Sequence, residues 1–237
     1  MIFMNKKIKV IIIITTVIVL ASAVYYFADY SHADKSATRY LNGTPEVNVT
    51  KTDNGLLIDG CGNDTALIFY PGAKVEYTSY LPMLTRLASR GIDCYLLEMP
   101  LNMAMLGENE AESIINNSSY SHYLLSGHSL GGVAAASYLN HSGKGDGLIL
   151  MATYPTDKIS KPVLSIYGSE DAVLNKESYE KSKPLMSNLT EFVVEGGNHA
   201  QFGNYGKQNG DNDAKISAEN QQNQTVNSII EFAYKLI

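Results

Sequence analysis

Tyr123-Leu124-Leu125-Ser126-Gly127-His128-Ser129-Leu130-Gly131-Gly132-Val133-Ala134-Ala135-Ala136 is the stretch on which the reading of this chain turns. An apolar run carrying an aromatic residue enters Gly127-His128-Ser129-Leu130-Gly131, and a run of small residues leaves it. That pattern predicts a strand, a sharp turn and a helix, with G-x-S-x-G on the turn. A serine on such a turn has a strained backbone, so the residues two before and two after it must be small. The strain lifts the hydroxyl above the sheet edge. The helix opening at Leu130 turns its free N–H groups and positive dipole end toward a reacting carbonyl. Glycine and serine are common, and the pentapeptide alone says little. Its place between a strand and a helix makes Ser129 a candidate nucleophile.

Working outward, short apolar runs alternate with helical spacing. Val47-Asn48-Val49-Thr50 and Leu56-Leu57-Ile58 flank Asp53-Asn54-Gly55, a hairpin turn signal expected at a sheet edge. Thr65-Ala66-Leu67-Ile68-Phe69-Tyr70 reads as a buried strand ending at Pro71-Gly72. A helix is expected over 77–89, stopped by Gly91, with Tyr80, Leu81, Leu84 and Leu87 on one face. Further strands are expected at Cys94-Tyr95-Leu96-Leu97, Gly147-Leu148-Ile149-Leu150-Met151, Val163-Leu164-Ser165-Ile166-Tyr167 and Phe192-Val193-Val194. Residues 103–116 read as partly helical, and 202–224 as a long polar loop without apolar period before Val226. A closing helix then packs through Val226, Ile229, Ile230, Phe232, Ala233 and Leu236. Buried strands alternating with helices predict an α/β fold, a mostly parallel sheet covered on both faces.

In such sheets ligands bind beyond the carboxyl ends of the strands. Four unusual stretches fall there: Pro71-Gly72-Ala73-Lys74, the Ser129 turn, Gly168-Ser169-Glu170-Asp171 and Gly197-Asn198-His199. A serine hydroxyl is a poor nucleophile and needs an imidazole to take its proton. The imidazole needs a carboxylate to fix its tautomer and stabilise its charged form. His199 is the candidate base by position, ahead of His32, His122, His128 and His141. Asp171 is the candidate acid, ahead of Glu170 and Asp157, because it follows a strand and a Gly168 turn by a short interval. Backbone amides of Leu130 and Ala73 are the candidate oxyanion donors, Pro71-Gly72 allowing close backbone approach. Lys74 is a candidate for the mouth of the site.

The chain has 237 residues, 45% hydrophobic and 18% charged, room for one domain and a short appendage. Its net charge of −6, without a basic cluster beyond the N-terminus, argues against a nucleic-acid partner. Two cysteines, Cys61 and Cys94, make no disulfide framework, and a single bridge or two free thiols are both compatible with the sequence. Asp211-Asn212-Asp213 offers spaced oxygens but lacks the glycine and distal glutamate of a calcium loop, so no metal or cofactor is expected. Residues 1–30 are of another kind: Lys6, Lys7 and Lys9 precede an uncharged apolar run from Val10 to Phe27. That pattern predicts a membrane anchor, or a secretory signal cut near Ala21-Ser22-Ala23, with the lysines left in the cytoplasm. Residues 31–45 read as a polar, irregular tether, and 46–237 as the folded domain.

Residues 45–237 resemble the α/β-hydrolase superfamily, in particular its small, lidless bacterial members of dienelactone-hydrolase-like or esterase-like type. The resemblance rests on Phe69-Tyr70-Pro71-Gly72-Ala73-Lys74-Val75, Glu98-Met99-Pro100, the Ser129 pentapeptide, Gly168-Ser169-Glu170-Asp171 and Gly196-Gly197-Asn198-His199-Ala200-Gln201-Phe202-Gly203. It implies a Ser129/Asp171/His199 triad with Ala73 and Leu130 as amide donors, in the family's Ser, Asp, His chain order. Tyr-Pro-Gly stands here where many esterases carry His-Gly. Residues 151–161 leave room only for a loop where many relatives insert a helical cap. A shallow, open pocket is therefore expected, with Met99, His128 and Phe202 beside Lys74 as substrate contacts. The activity this implies is hydrolysis of a small or exposed carboxylic ester through an acyl-enzyme. A peptidase or thioesterase with the same triad, or a non-catalytic surface binding module on the same fold, is also compatible with the sequence.

Overall fold

The structure is a computed structural model describing residues 5–62 and 64–236. It divides into two compact units, Met1–Tyr30 and Ser31–Ile237. In the first, α1 (Lys6–Ala28) is capped by the Asn5 side chain, which accepts from the Lys7 amide at 3.0 Å. Its apolar residues lie on all sides rather than in one stripe, the pattern of a helix surrounded by apolar material. Its 23 residues and mean hydropathy of 2.5 make it long and apolar enough to cross a bilayer. A signal sequence has the same properties.

The second unit is organised by one sheet of β1 (Asn48–Thr52), β2 (Gly55–Asp59), β3 (Thr65–Tyr70), β4 (Asp93–Leu97), β5 (His122–His128), β6 (Gly147–Met151), β7 (Val163–Gly168) and β8 (Leu189–Val194). Its order is β1-β2-β4-β3-β5-β6-β7-β8. The β1–β2 hairpin closes at Thr52 and Gly55 and joins β4 antiparallel, which puts β1 at the edge. From β4 to β8 every pairing is parallel. The central strands β3, β5 and β6 are buried on both faces, hence their continuous apolar runs.

Around the sheet lie α2 (Lys35–Thr38), α3 (Leu81–Ala88), α4 (Glu110–Asn117), α5 (Leu130–Ser142), α6 (Lys176–Ser182) and α7 (Ala218–Leu236). One core layer joins α3 and α7 to Leu67, Phe69 and Leu96. The other joins α4, α5 and α6 to Ile68, Leu125 and Leu150. Alternate residues of one strand thus feed opposite layers, as a pleated backbone requires. Register aligns Tyr70 with Gly127, His128 with Met151, and Gly168 with Val194, so the loops after these strands leave at one edge.

Two expectations need correction. Residues 31–45 are not an irregular tether: Asp34 caps α2, a short 3-10 turn follows at Arg39–Asn42, and Ala37 is buried. Polar composition hid this, because the segment is fastened by backbone hydrogen bonds more than by apolar contact. The loop after Phe202 is also shorter than expected, since α7 begins at Ala218. Its first turns bury Gln221, Gln222 and Thr225, giving them no apolar signature. Gln221 exchanges two hydrogen bonds with the backbone of Asn198, at 3.0 and 2.8 Å. Both cysteines are free thiols, Cys94 buried and Cys61 exposed.

Candidate active site

Ser129 sits between β5 and α5 with φ 52° and ψ −127°, a conformation that non-glycine residues rarely adopt. The turn is possible because its neighbours carry no Cβ. A Cβ on Gly131 would stand 2.2 Å from the Tyr70 carbonyl oxygen, and one on Gly127 2.4 Å from the Gly131 carbonyl carbon. Ser129 is held from the other side by its own N–H, which donates to the Met151 carbonyl at 2.9 Å. Leu130 opens α5, where the first amides have no acceptor within the helix.

Asp171 and His199 arrive from the loops after β7 and β8. His199 Nδ1 lies 3.0 Å from Asp171 Oδ2, and the two side chains are 2% and 0% exposed. An ionised carboxylate only accepts, so Nδ1 carries the proton and Nε2 presents its lone pair. The other oxygen of Asp171 accepts from the amides of Val173 (2.9 Å) and Leu174 (2.8 Å), which fixes the carboxylate's direction. The rival carboxylates point elsewhere: Glu170 pairs with Lys215 at 2.8 Å, and Asp157 is exposed. His199 Nε2 is buried and has no hydrogen-bond partner among the described residues, the Ser129 hydroxyl included. Such a bond is often long in a substrate-free site and tightens only on binding.

Two side chains that sequence reasoning did not single out shape the site. The Tyr80 hydroxyl, fully buried, accepts from the Gly72 amide at 3.1 Å and lies 2.8 Å from His128 Nδ1. These two contacts tie the loop that carries Ala73 to the residue before Ser129. His128 is stacked at 4.6 Å from His199 and 5.5 Å from Phe202, ring centre to ring centre. Burial first, and the neighbouring His199 second, hold the His128 imidazole well below its ordinary pKa, so the ring is neutral. Burial also pushes the Tyr80 phenol up, keeping its proton in place.

The second is Asp211. Its Oδ1 accepts from the Ala172 amide (3.2 Å) and the Asn212 amide (3.0 Å), and its Oδ2 from the Ala200 amide (2.9 Å). One carboxylate thus straps the residue after Asp171 to the residue after His199. This use of Asp211 takes up the oxygens that the Asp211-Asn212-Asp213 run offered to calcium. Asp213 instead pairs with Lys207. A Tyr on a helix face and an Asp in a polar loop carry no sequence signal beyond their type.

The substrate contacts expected from sequence fall mostly inside the protein. Met99, His128 and Phe202 are 5%, 1% and 0% exposed, as buried as His199 at 1%. The reason is packing: Phe202 belongs to one core layer and Met99 to the opposite one. Ala73 and Lys74 are half-buried on the loop after β3. Lys74 has φ 56°, and its amide donates to the Asn102 carbonyl at 2.8 Å. A cleft of about 780 Å³ is lined by Asn198, Ala200 and Gln201 beside His199 and by residues between 203 and 214, while Ser129, Asp171 and His199 themselves do not line it.

The fold is a mostly parallel sheet covered on both faces, with a strained serine at a strand-to-helix turn and a carboxylate-bound histidine at one edge. Residues 66–223 match the model of the alpha/beta hydrolase family, and the chain belongs to that family. Among solved structures, a predicted CIB-like hydrolase from Thermoplasma acidophilum shares 14% identity at a TM-score of 0.60, covering 78% of this chain and 99% of that one. Thermogutta terrifontis esterase 2, phosphoramylated by tabun, shares 15% at 0.56, covering 83% and 98%. Mouse alpha/beta hydrolase domain-containing protein 10 shares 12% at 0.57, covering 81% and 99%. At these identities the likeness is one of fold. No curated protein matches the sequence at a significant level.

Proposed function

We propose that this chain is a serine hydrolase that cleaves small or exposed carboxylic esters. Ser129 attacks the ester carbonyl while His199 takes its proton through Nε2. Asp171 holds the tautomer and stabilises the imidazolium, and the amides of Ala73 and Leu130 receive the tetrahedral oxyanion. His199 then protonates the departing alcohol. Water, activated by the same imidazole, releases the acid from Ser129.

The observation that carries this reading is the Asp171–His199 pair at 3.0 Å, buried at the sheet edge from which the strained Ser129 projects. The Thermogutta terrifontis neighbour in fold is an esterase, which agrees with it. The segment before Ser31 serves as a single-pass membrane anchor with the catalytic domain outside the cytoplasm, or as the signal of a secreted form. Its lysine flank and the length of α1 support both forms.

A series of p-nitrophenyl esters of increasing acyl length tests the reading. The expected result is turnover greatest for short acyl groups and abolished by Ser129→Ala. An optimum at long chains, or cleavage of thioesters or peptides without cleavage of esters, would contradict it.

A further inference from the structure

Only Asp29 and Tyr30 separate the end of α1 from Ser31. Ser31 is built into the rim of the candidate site. Its N–H donates to the Lys74 carbonyl at 2.8 Å, and its carbonyl accepts from the Glu76 amide at 2.9 Å, a parallel bridge to Val75. The Ala33 amide donates to the Glu76 carboxylate at 3.0 Å, and the Asp34 amide to the Asn204 carbonyl at 2.9 Å. Residues 31–34 are therefore stitched both to the loop of Ala73 and to the loop that follows His199. Three extended residues reach about 10 Å, so the covalent link between α1 and Ser31 is short.

The same rim carries three exposed apolar side chains. The segment after β4 exposes Leu101 (55%), Met105 (44%) and Leu106 (57%). Leu101 and Asn102 both have positive φ, 53° and 54°, and the Asn102 carbonyl holds the Lys74 amide. A strained backbone fastened to the rim thus presents three apolar groups to the outside instead of to the core. Bulky apolar residues grouped on an outer surface mark an interaction site.

Resting on the anchor reading above, we propose that the candidate site works at the surface of the bilayer that holds α1, with Leu101, Met105 and Leu106 seated in its interface. The substrate class is then an amphiphilic ester whose tail stays in the membrane and whose short acyl ester stands at the surface. A shallow, capless site suits such a substrate, because the bilayer itself holds the tail.

The full chain is reconstituted in vesicles of phosphatidylethanolamine and phosphatidylglycerol, with Cys61→Ser and a nitroxide label at Leu101→Cys, Leu106→Cys or Tyr234→Cys. Tyr234 is the aqueous reference: it is 72% exposed near the end of α7, which packs at the opposite sheet edge against Gly147. Flotation with the vesicles reports the anchor separately from the label. The expected result is flotation, with the labels at 101 and 106 accessible to oxygen and shielded from a soluble nickel complex, and the label at 234 the reverse. Flotation with all three labels equally aqueous overturns the proposal and leaves the anchor standing. Failure to float overturns both. A flexible insert of about twenty residues between Asp29 and Tyr30 gives a second test. It should lower the rate on a vesicle-borne hexadecyl-umbelliferyl acetate about tenfold, since effective concentration falls roughly as the −3/2 power of tether length. The rate on p-nitrophenyl acetate in water should stay unchanged. An unchanged rate on both substrates contradicts the proposal.

Discussion

Replacing Tyr80 by Phe removes one oxygen and leaves the ring where it packs, 4.7 Å from Phe69. What is lost is a bridge. The Gly72 amide loses its acceptor at 3.1 Å, and His128 Nδ1 loses its hydrogen-bond partner at 2.8 Å. Tyr80 is 0% and His128 1% exposed, so water does not readily replace either partner. Leaving a buried polar group unsatisfied costs about 1–3 kcal/mol, and two such groups about 3 kcal/mol together after partial relaxation. In a domain of this size that lowers Tm by roughly 10 °C. The same change frees the loop carrying Ala73 from the residue before Ser129, so kcat should fall more than KM rises. Urea denaturation beside ester kinetics on Tyr80→Phe measures both. A variant with wild-type stability would show that the bridge contributes nothing, and the reasoning from burial would fail.

Other outcomes follow from the same geometry. His128 is neutral in the folded protein, with its pKa held down, while the unfolded chain has an ordinary histidine near 6.5. Above that pH neither state gains a proton. Below it the unfolded state does, and stability falls by about 1.4 kcal/mol per pH unit until the folded pKa is reached. His128→Asn should lose that part of the slope between pH 6.5 and 5, measured by urea unfolding; an identical slope would refute it. Gly131→Ala drives a Cβ to 2.2 Å from the Tyr70 carbonyl and 2.3 Å from that of Pro71, both backbone atoms. It should cost about 3 kcal/mol or more, read as lost soluble yield and a lower urea midpoint. Asp211→Ala releases the strap between the Asp171 and His199 loops. It should reduce kcat by about 10- to 100-fold with little change in KM, as small misplacements of catalytic groups do. An unchanged kcat would show that the strap is dispensable.

The parts of this molecule that were legible in sequence are those with a period or a steric demand. β3, β5, β6 and β7 announce themselves by unbroken apolar runs, because both faces are covered. The Ser129 turn announces itself by glycines at 127 and 131 that no other residue fits. Segments held by polar contacts were not legible. The first turns of α7 are secured by Gln221 and Gln222, which read as loop residues. Their start is capped by Ser217, whose hydroxyl accepts from the Asn220 amide at 3.2 Å. Residues 31–34 are fixed by backbone bonds to partners more than forty positions away, which no local pattern reveals. The burial of Met99 and Phe202 was hidden for a related reason: they lie beside the site in sequence, but their side chains join the two core layers. Tyr80 and Asp211 act only through residues brought near by folding, so their place in the site is a property of the tertiary structure alone.

The central claim is that Ser129 is a nucleophile activated by His199. Its most direct test is reaction of the folded protein with a fluorophosphonate, followed by peptide mass spectrometry. The account predicts one adduct, on Ser129, lost in Ser129→Ala and strongly slowed in His199→Ala. Folded protein that takes up no probe, or an adduct on another residue, would contradict it.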